Sequence, residues 1–240
     1  TVDKHFYFYK VWNFTKYYHP ALATGTVYAD TLFFTNLPIL DKIESNEEFD
    51  LFIKNYLKEL PKTAVISKEK PVSGKLLTTN KDQKWFKSGK IFSSSIKSEL
   101  AGIFENRYRD SIHHYIPNVH YFADIPNEGE YKVDKSANLS YAFRMLTLAK
   151  LQGAVDYLFP HKYLMDEDFD AVIKHNISLF ANCSSRLEYE KMLLKVISTF
   201  DDTHSYKFIN ELKYKREIFK NYTFPPFALS LIHISEPTRQ

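Results

Sequence analysis

A single cysteine, Cys183, excludes an intramolecular disulfide and any zinc cage built on several thiolates. It precedes a helix cap on an apolar stretch and reads as a small buried hydrophobe rather than a reactive thiol. Long hydrophobic runs are also missing, so no transmembrane segment is expected, and no signal peptide is visible. Charge of one sign is scarce too. With 32 basic against 29 acidic residues the net charge is +3, too weak a field to make nucleic acid or an anionic membrane the main partner.

What the chain does have is apolar side chains, 44% of 240 residues, and a repeat. Tyr189, Met192, Leu193, Val196, Ile197 and Phe200 follow the spacing of one buried helix face, and Phe49, Phe52, Ile53, Tyr56, Leu57 and Leu60 reproduce it. Each run opens on a capping box, Ser185 with Glu188 and Ser45 with Glu48. Upstream, Tyr157-Leu158-Phe159-Pro160 answers Tyr17-Tyr18-His19-Pro20, and both the prolines and the boxes are offset by 140 residues. Each proline should end a helix. A further helix lies between proline and box: Phe169, Val172, Ile173, Ile177 and Phe180 form its face in the second copy. Tyr28, Leu32 and Ile39 are aligned with Phe169, Ile173 and Phe180 by allowing a one-residue gap.

The expected fold is therefore mainly α, two repeated three-helix lobes joined by an irregular arm, with little or no sheet. The first lobe spans residues 1–60, the arm 61–135 and the second lobe 136–229. Tyr7, Val11, Phe14 and Tyr18 put one apolar face on a helix already under way at the first residue. Within the arm, Ser93 to Phe104 reads as a short helix turning Ile96, Leu100, Ile103 and Phe104 inward, with Trp85-Phe86 pinning it to a lobe. Leu139, Ala142, Phe143, Leu146 and Ala149 stripe a helix running to Pro160, and Asp166 is placed to cap the next one. The carboxylates Asp166, Glu167, Asp168 and Asp170 complement a helix dipole rather than forming a catalytic pair.

Candidate chemistry is sparse. His113, His114 and His120 have neither i, i+4 spacing nor a carboxylate in a ligand pattern, so no metal and no cofactor is expected. Tyr121-Phe122 is read as a buried anchor rather than a base-stacking platform. Asp201-Asp202-Thr203-His204-Ser205 closes the last lobe helix with a polar cluster. That cluster suits either a turn-forming helix terminus or one part of an active site completed elsewhere.

Together, YLFPHKYLMDEDFD, LEYEKMLLKVISTFDDTHS and FPPF in the segment from Tyr141 to Phe227 resemble the helical region preceding the catalytic part of bacterial tail-specific and tricorn-type serine peptidases. The stretch KVWNFTKYYHPALATGTVYAD is similar to a companion segment found further upstream in Bacteroidetes-like members. The resemblance implies that a PDZ-like peptide-binding module and an α/β domain bearing the nucleophilic serine would follow, and that the substrate would be a polypeptide. It also implies that His204 is a candidate general base, oriented by Asp202 or Ser205, unless a lysine of the later domain takes that role. A periplasmic or cell-surface location is implied in the same way. No G-x-S-x-G elbow is present, and Ser205, Ser230 and Ser235, the serines after His204, lack a base or glycine-lined oxyanion site nearby, so the chain by itself is expected to hydrolyse nothing. The alternative is a helical-repeat module that binds a protein partner. Residues 230–240, SLIHISEPTRQ, depart from the family pattern, resemble translated sequencing-adapter text, and are expected to pack poorly.

Overall fold

A computed structural model of the chain describes residues 1–62, 83–110, 112–116, 125–129, 131, 137–202 and 206–222. The protein is mainly helical, and no strand occurs among the described residues. Helix α1 (Val2–Tyr18) is its centre. Phe8, Tyr9, Val11 and Trp12 have no exposed surface, and even Lys10, Asn13 and Lys16 are buried. A helix covered on every side past its first turn has no amphipathic stripe, which corrects the one-face expectation: beyond Asp3, Tyr7 and Tyr18 are its half-exposed positions. The helix stops where His19 turns extended ahead of Pro20, the first residue of α2 (Pro20–Ala23).

After α2 come α3 (Ala29–Leu40), α4 (Asn46–Glu59), α5 (Lys84–Lys87) and α6 (Ser94–Glu105). The second half holds α7 (Tyr141–Gly153), continued by a π-turn over Ala154–Leu158. A short 3-10 turn (Lys162–Leu164), α8 (Phe169–Ala181), α9 (Arg186–Ser198), α10 (Tyr206–Glu211) and α11 (Lys215–Phe219) follow. The repeat is visible in the helix starts, since Ala29 and Asn46 stand 140 residues before Phe169 and Arg186.

No gap is needed to align α3 with α8. Ala29, Phe33, Leu37 and Leu40 are buried where Phe169, Ile173, Ile177 and Phe180 are, whereas Tyr28 and Ile39 are 62% and 50% exposed. The register was obscured by Asn36 and Asn176, buried polar residues on both apolar faces. Each satisfies its amide by donating to the carbonyl four residues back, Leu32 and Val172, at 3.0 and 2.8 Å. The caps also need adjustment. Ser45 and Glu48 make the full reciprocal box, but Glu188 returns its bond to Ser184 instead of Ser185. Asp168, rather than Asp166, caps α8 by accepting from the Asp170 N–H at 3.1 Å, because the first buried residue of that helix is Phe169.

The two sets of helices meet reciprocally: α1 lies on α7 and α8, and α3 lies on α7. Lys10 of the first copy pairs with Asp170 of the second at 2.6 Å, and the equivalent residues exchanged, Lys150 and Asp30, pair at 2.7 Å. Tyr17 and Tyr157, also equivalent, stack on each other with centroids 4.6 Å apart. This is the contact pattern of an isologous dimer enclosed in one chain, and one continuous core runs through both copies.

The described part of the stretch between the copies holds α5 and α6. Phe86 of α5, Phe92, and Ile96, Leu100 and Ile103 of α6 are buried, with α6 laid against α4 and α1. The Ser93 N–H at its start donates to Asp50 at 2.9 Å. The residue equivalent to Asp50 is Glu190, and it accepts from the N–H groups of Lys213 and Tyr214 at the start of α11. The two copies thus share a carboxylate that receives the N–H groups at the start of a later helix, α6 in the first and α11 in the second.

Candidate functional site

The last lobe helix, α9, ends against Thr199, and Asp201 then adopts a left-handed backbone at φ +47°, a conformation that aspartate tolerates better than most residues. This swings the start of the Asp201–Ser205 motif away from the helix axis. Asp201 and Asp202 land on the rim of an open cleft of about 630 Å³ whose walls are Phe159, Pro160, Leu164, Met165 and Phe200, with His161 beside them. The π-turn and Pro160 place Phe159, whose ring lies 6.0 Å from that of Phe200, and Phe200 packs edge-on against Phe169 at 5.4 Å. Apolar walls under two carboxylates suit an apolar group adjoining a cation. His204, the candidate base, and its neighbour Ser205 lie outside the described residues, as do His120, Tyr121, Phe122 and the tail 230–240.

Several of the described histidines serve the fold. His5 Nε2 lies 2.9 Å from Asp41 Oδ1, to which the Tyr141 hydroxyl donates at 2.6 Å, tying the ends of α1, α3 and α7 together. His113 Nδ1 accepts from the Tyr115 N–H at 3.0 Å, and its Nε2 lies 3.1 Å from the Tyr17 carbonyl. The His114 ring covers Gly25, where φ is +75° and a Cβ would come within 2.5 Å of Nδ1. Among the described residues no histidine hydrogen-bonds a serine or cysteine, and no group of three or more His, Cys, Asp or Glu could hold a metal ion. Cys183 is buried with Sγ 3.2 Å from the Ser185 carbonyl, and burial pushes its thiol pKa up.

His19 caps α2, its Nδ1 accepting from the Ala21 N–H at 3.2 Å. Burial holds its pKa down at about 4, against a weaker opposing hydrogen bond to the Pro61 backbone. Because the unfolded chain takes up this proton near pH 6.5 and the folded chain only near 4, stability from this group is full above 6.5 and falls as pH drops through that window. The expected loss is about 2–3 kcal/mol. Urea melts of the wild type and of His19→Gln between pH 7 and 4 check this, since the variant should lose less stability over that range.

Sequence reasoning missed the buried charges altogether. Lys10 bridges Asp156 at 2.7 Å and Asp170 at 2.6 Å, and Lys162 also reaches Asp156. Burial alone would lower the Lys10 pKa, but the two carboxylates outweigh it and raise it. Lys16 contacts Glu128 and sits over the rings of Trp12, Tyr17 and Tyr115 at 5.2, 5.4 and 4.6 Å. Its pKa is lowered, chiefly by burial. Glu128 also pairs with Lys150 at 2.7 Å, so this one side chain from the linking segment fastens a lysine of each copy. Lysines embedded in the apolar sequence of α1 were the available signal, since a charge in a fully covered helix requires a partner.

No helix of the described residues is long and apolar enough to cross a membrane. No protein-family model, curated protein or solved structure matches this chain.

Proposed function

We propose that the chain is a non-catalytic helical part of a serine-type peptidase acting on polypeptides, holding a PDZ-like module and a catalytic α/β domain supplied by further sequence. The reading rests on the resemblance carried by the Tyr141–Phe227 motifs. The structural observation that supports it is the position of Asp201 and Asp202, the first two residues of the DDTHS motif, in the lining of an open cleft. A base at His204 would serve a serine brought in by the downstream domain, with Asp202 or Ser205 orienting the imidazole. The second reading, a helical-repeat module that binds a protein partner without peptidase chemistry, is favoured by that same cleft, whose walls are apolar.

Extending the reading frame beyond Phe227 at the source locus separates the two: the first reading expects a peptide-binding module and a serine-bearing domain. In the extended protein, a serine-directed fluorophosphonate should label the nucleophile, and folded His204→Ala should lose that labelling. Retained labelling would assign the base to a lysine of the later domain. Hydrolysis of an unstructured polypeptide by the 240-residue chain alone would overturn the scaffold reading.

A further inference from the structure

The lysine that each copy sends to the other stands in a charge-balanced group, and the two groups are built differently. Lys10 is joined by Asp156, Asp170 and Lys162. Lys150 is joined by Asp30, Glu128 and Lys16. Shifted by 140, Lys10 becomes Lys150 and Asp30 becomes Asp170, but Lys16 stands where the second copy has Asp156. The sign at that position is reversed. The repeated helices therefore bring Lys16 of α1 and Lys150 of α7 together against Asp30 of α3, and the balancing carboxylate, Glu128, comes from the linking segment.

Both ammonium groups also have partners that do not depend on Glu128. Lys16 Nζ lies over the rings of Trp12, Tyr17 and Tyr115 at 5.2, 5.4 and 4.6 Å. Lys150 Nζ lies 2.7 Å from Asp30, which the Tyr131 hydroxyl also holds, donating at 2.8 Å. Glu128 itself is attached differently from Asp156. Asp156 belongs to the π-turn that continues α7 and its side chain is 9% exposed, whereas the Glu128 side chain is 24% exposed and its neighbours Ile125, Asn127 and Gly129 face solvent. From this we infer that Lys16 and Lys150 form a carboxylate-binding site with Glu128 as its resident ligand. A carboxylate on a short aliphatic stem, free or as the glutamate of another polypeptide, takes the site when Glu128 is withdrawn. Two ammonium groups converging on one carboxylate make charge-assisted hydrogen bonds, and left without it they carry an uncompensated, largely buried charge. A tethered ligand has a high effective concentration, so dilute external carboxylates are excluded while residues 125–129 stay in place. The inference draws on the repeat and its charges alone and does not require the peptidase reading.

Chemical rescue of the whole chain tests this. Glu128→Ala removes one methylene and the carboxylate, the heavy atoms of acetate, so acetate is the probe, with acetamide as its neutral isostere and chloride at matched ionic strength as the control for screening. The variant should melt below the wild type in chloride. Acetate should raise its Tm saturably, by about 3–5 °C at ten times the dissociation constant, while acetamide and chloride leave it unchanged and the wild type responds to none of them. Adding Lys16→Met, which leaves Lys150 to Asp30, should abolish the acetate effect. A blocked peptide copying residues 125–129 separates the two sources: half-saturation at a concentration at least tenfold below that of acetate assigns a polypeptide glutamate, and equal concentrations assign a free acid. Should Glu128→Ala fail to fold in chloride, its refolding yield in acetate reads the same quantity, and Lys16→Met/Glu128→Ala is the variant expected to fold in either salt. A Glu128→Ala chain as stable as the wild type, an equal response to acetamide or chloride, or a rescue that survives Lys16→Met would overturn the proposal and leave Glu128 a structural contact.

Discussion

Gly153→Ala is expected to destabilise the protein by about 2–4 kcal/mol, although alanine is the better helix former by roughly 1 kcal/mol. Gly153 lies where α1 crosses α7, and a Cβ there would come within 2.1 Å of Asn13 Oδ1 and 2.6 Å of its Cγ. Asn13 cannot readily move aside, because it is fully buried and its Nδ2 donates to the Ala149 carbonyl at 2.8 Å. The new methyl must therefore displace a hydrogen-bonded side chain or separate the two helices. For a chain of this size such a loss lowers Tm by about 5–15 °C. The check is a double-mutant cycle. Asn13→Ala empties the space that the methyl needs, so the double variant should melt above Gly153→Ala alone, and strictly additive effects would refute the steric account.

Lys10→Met has the largest expected cost of a charge substitution, about 3–5 kcal/mol at neutral pH, because it leaves buried carboxylates without their cation. The Lys10 side chain is 4% exposed and that of Asp156 9%, so water does little to replace the missing partner. In the wild type burial acts to raise the Asp156 pKa, yet Lys10 and Lys162 outweigh it and hold it below the ordinary value, so its contribution is present at neutral pH and is lost on acidification. In the variant the sign reverses. Asp170, already pushed up by burial despite Lys10, is expected to rise further, and protonating it relieves the strain. The stability gap between wild type and variant should therefore narrow as pH falls from 7 to 4, measured by denaturant melts. Lys150→Met at the equivalent position should cost less, since that side chain is 22% exposed.

The sequence exposed the helices of the repeat well and the way they meet poorly, for identifiable reasons. The faces of α4 and α9 and the serine caps before them are local patterns, and Ser45, Ser185, Tyr56 and Val196 stand where the spacing put them. The α6 helix and the burial of Phe86 were equally legible. Helix α1 misled because amphipathic reasoning presumes an exposed side, and this helix is covered by elements distant in sequence. The α3 register failed on a buried asparagine that bonds within its own helix. Nothing in the residue types announces the pairing of Lys10 with Asp170 across the two copies, which depends on how the units are juxtaposed. As for the candidate site, the motif at Asp201–Ser205 was recognisable, whereas the cleft was not, because its walls come from the Pro160 turn and from Phe200, 40 residues apart.

The reciprocal packing of α1 against α7 and α8 also bears on how the chain acquires its shape during synthesis. Helix α1 is synthesised before α7 and α8 and has part of its surface reserved for residues 141–181, so it remains partly uncovered until those have been made. A nascent chain arrested before that point should present the side of α1 that carries Tyr9 and Asn13 to chaperones, and one arrested after α9 should not.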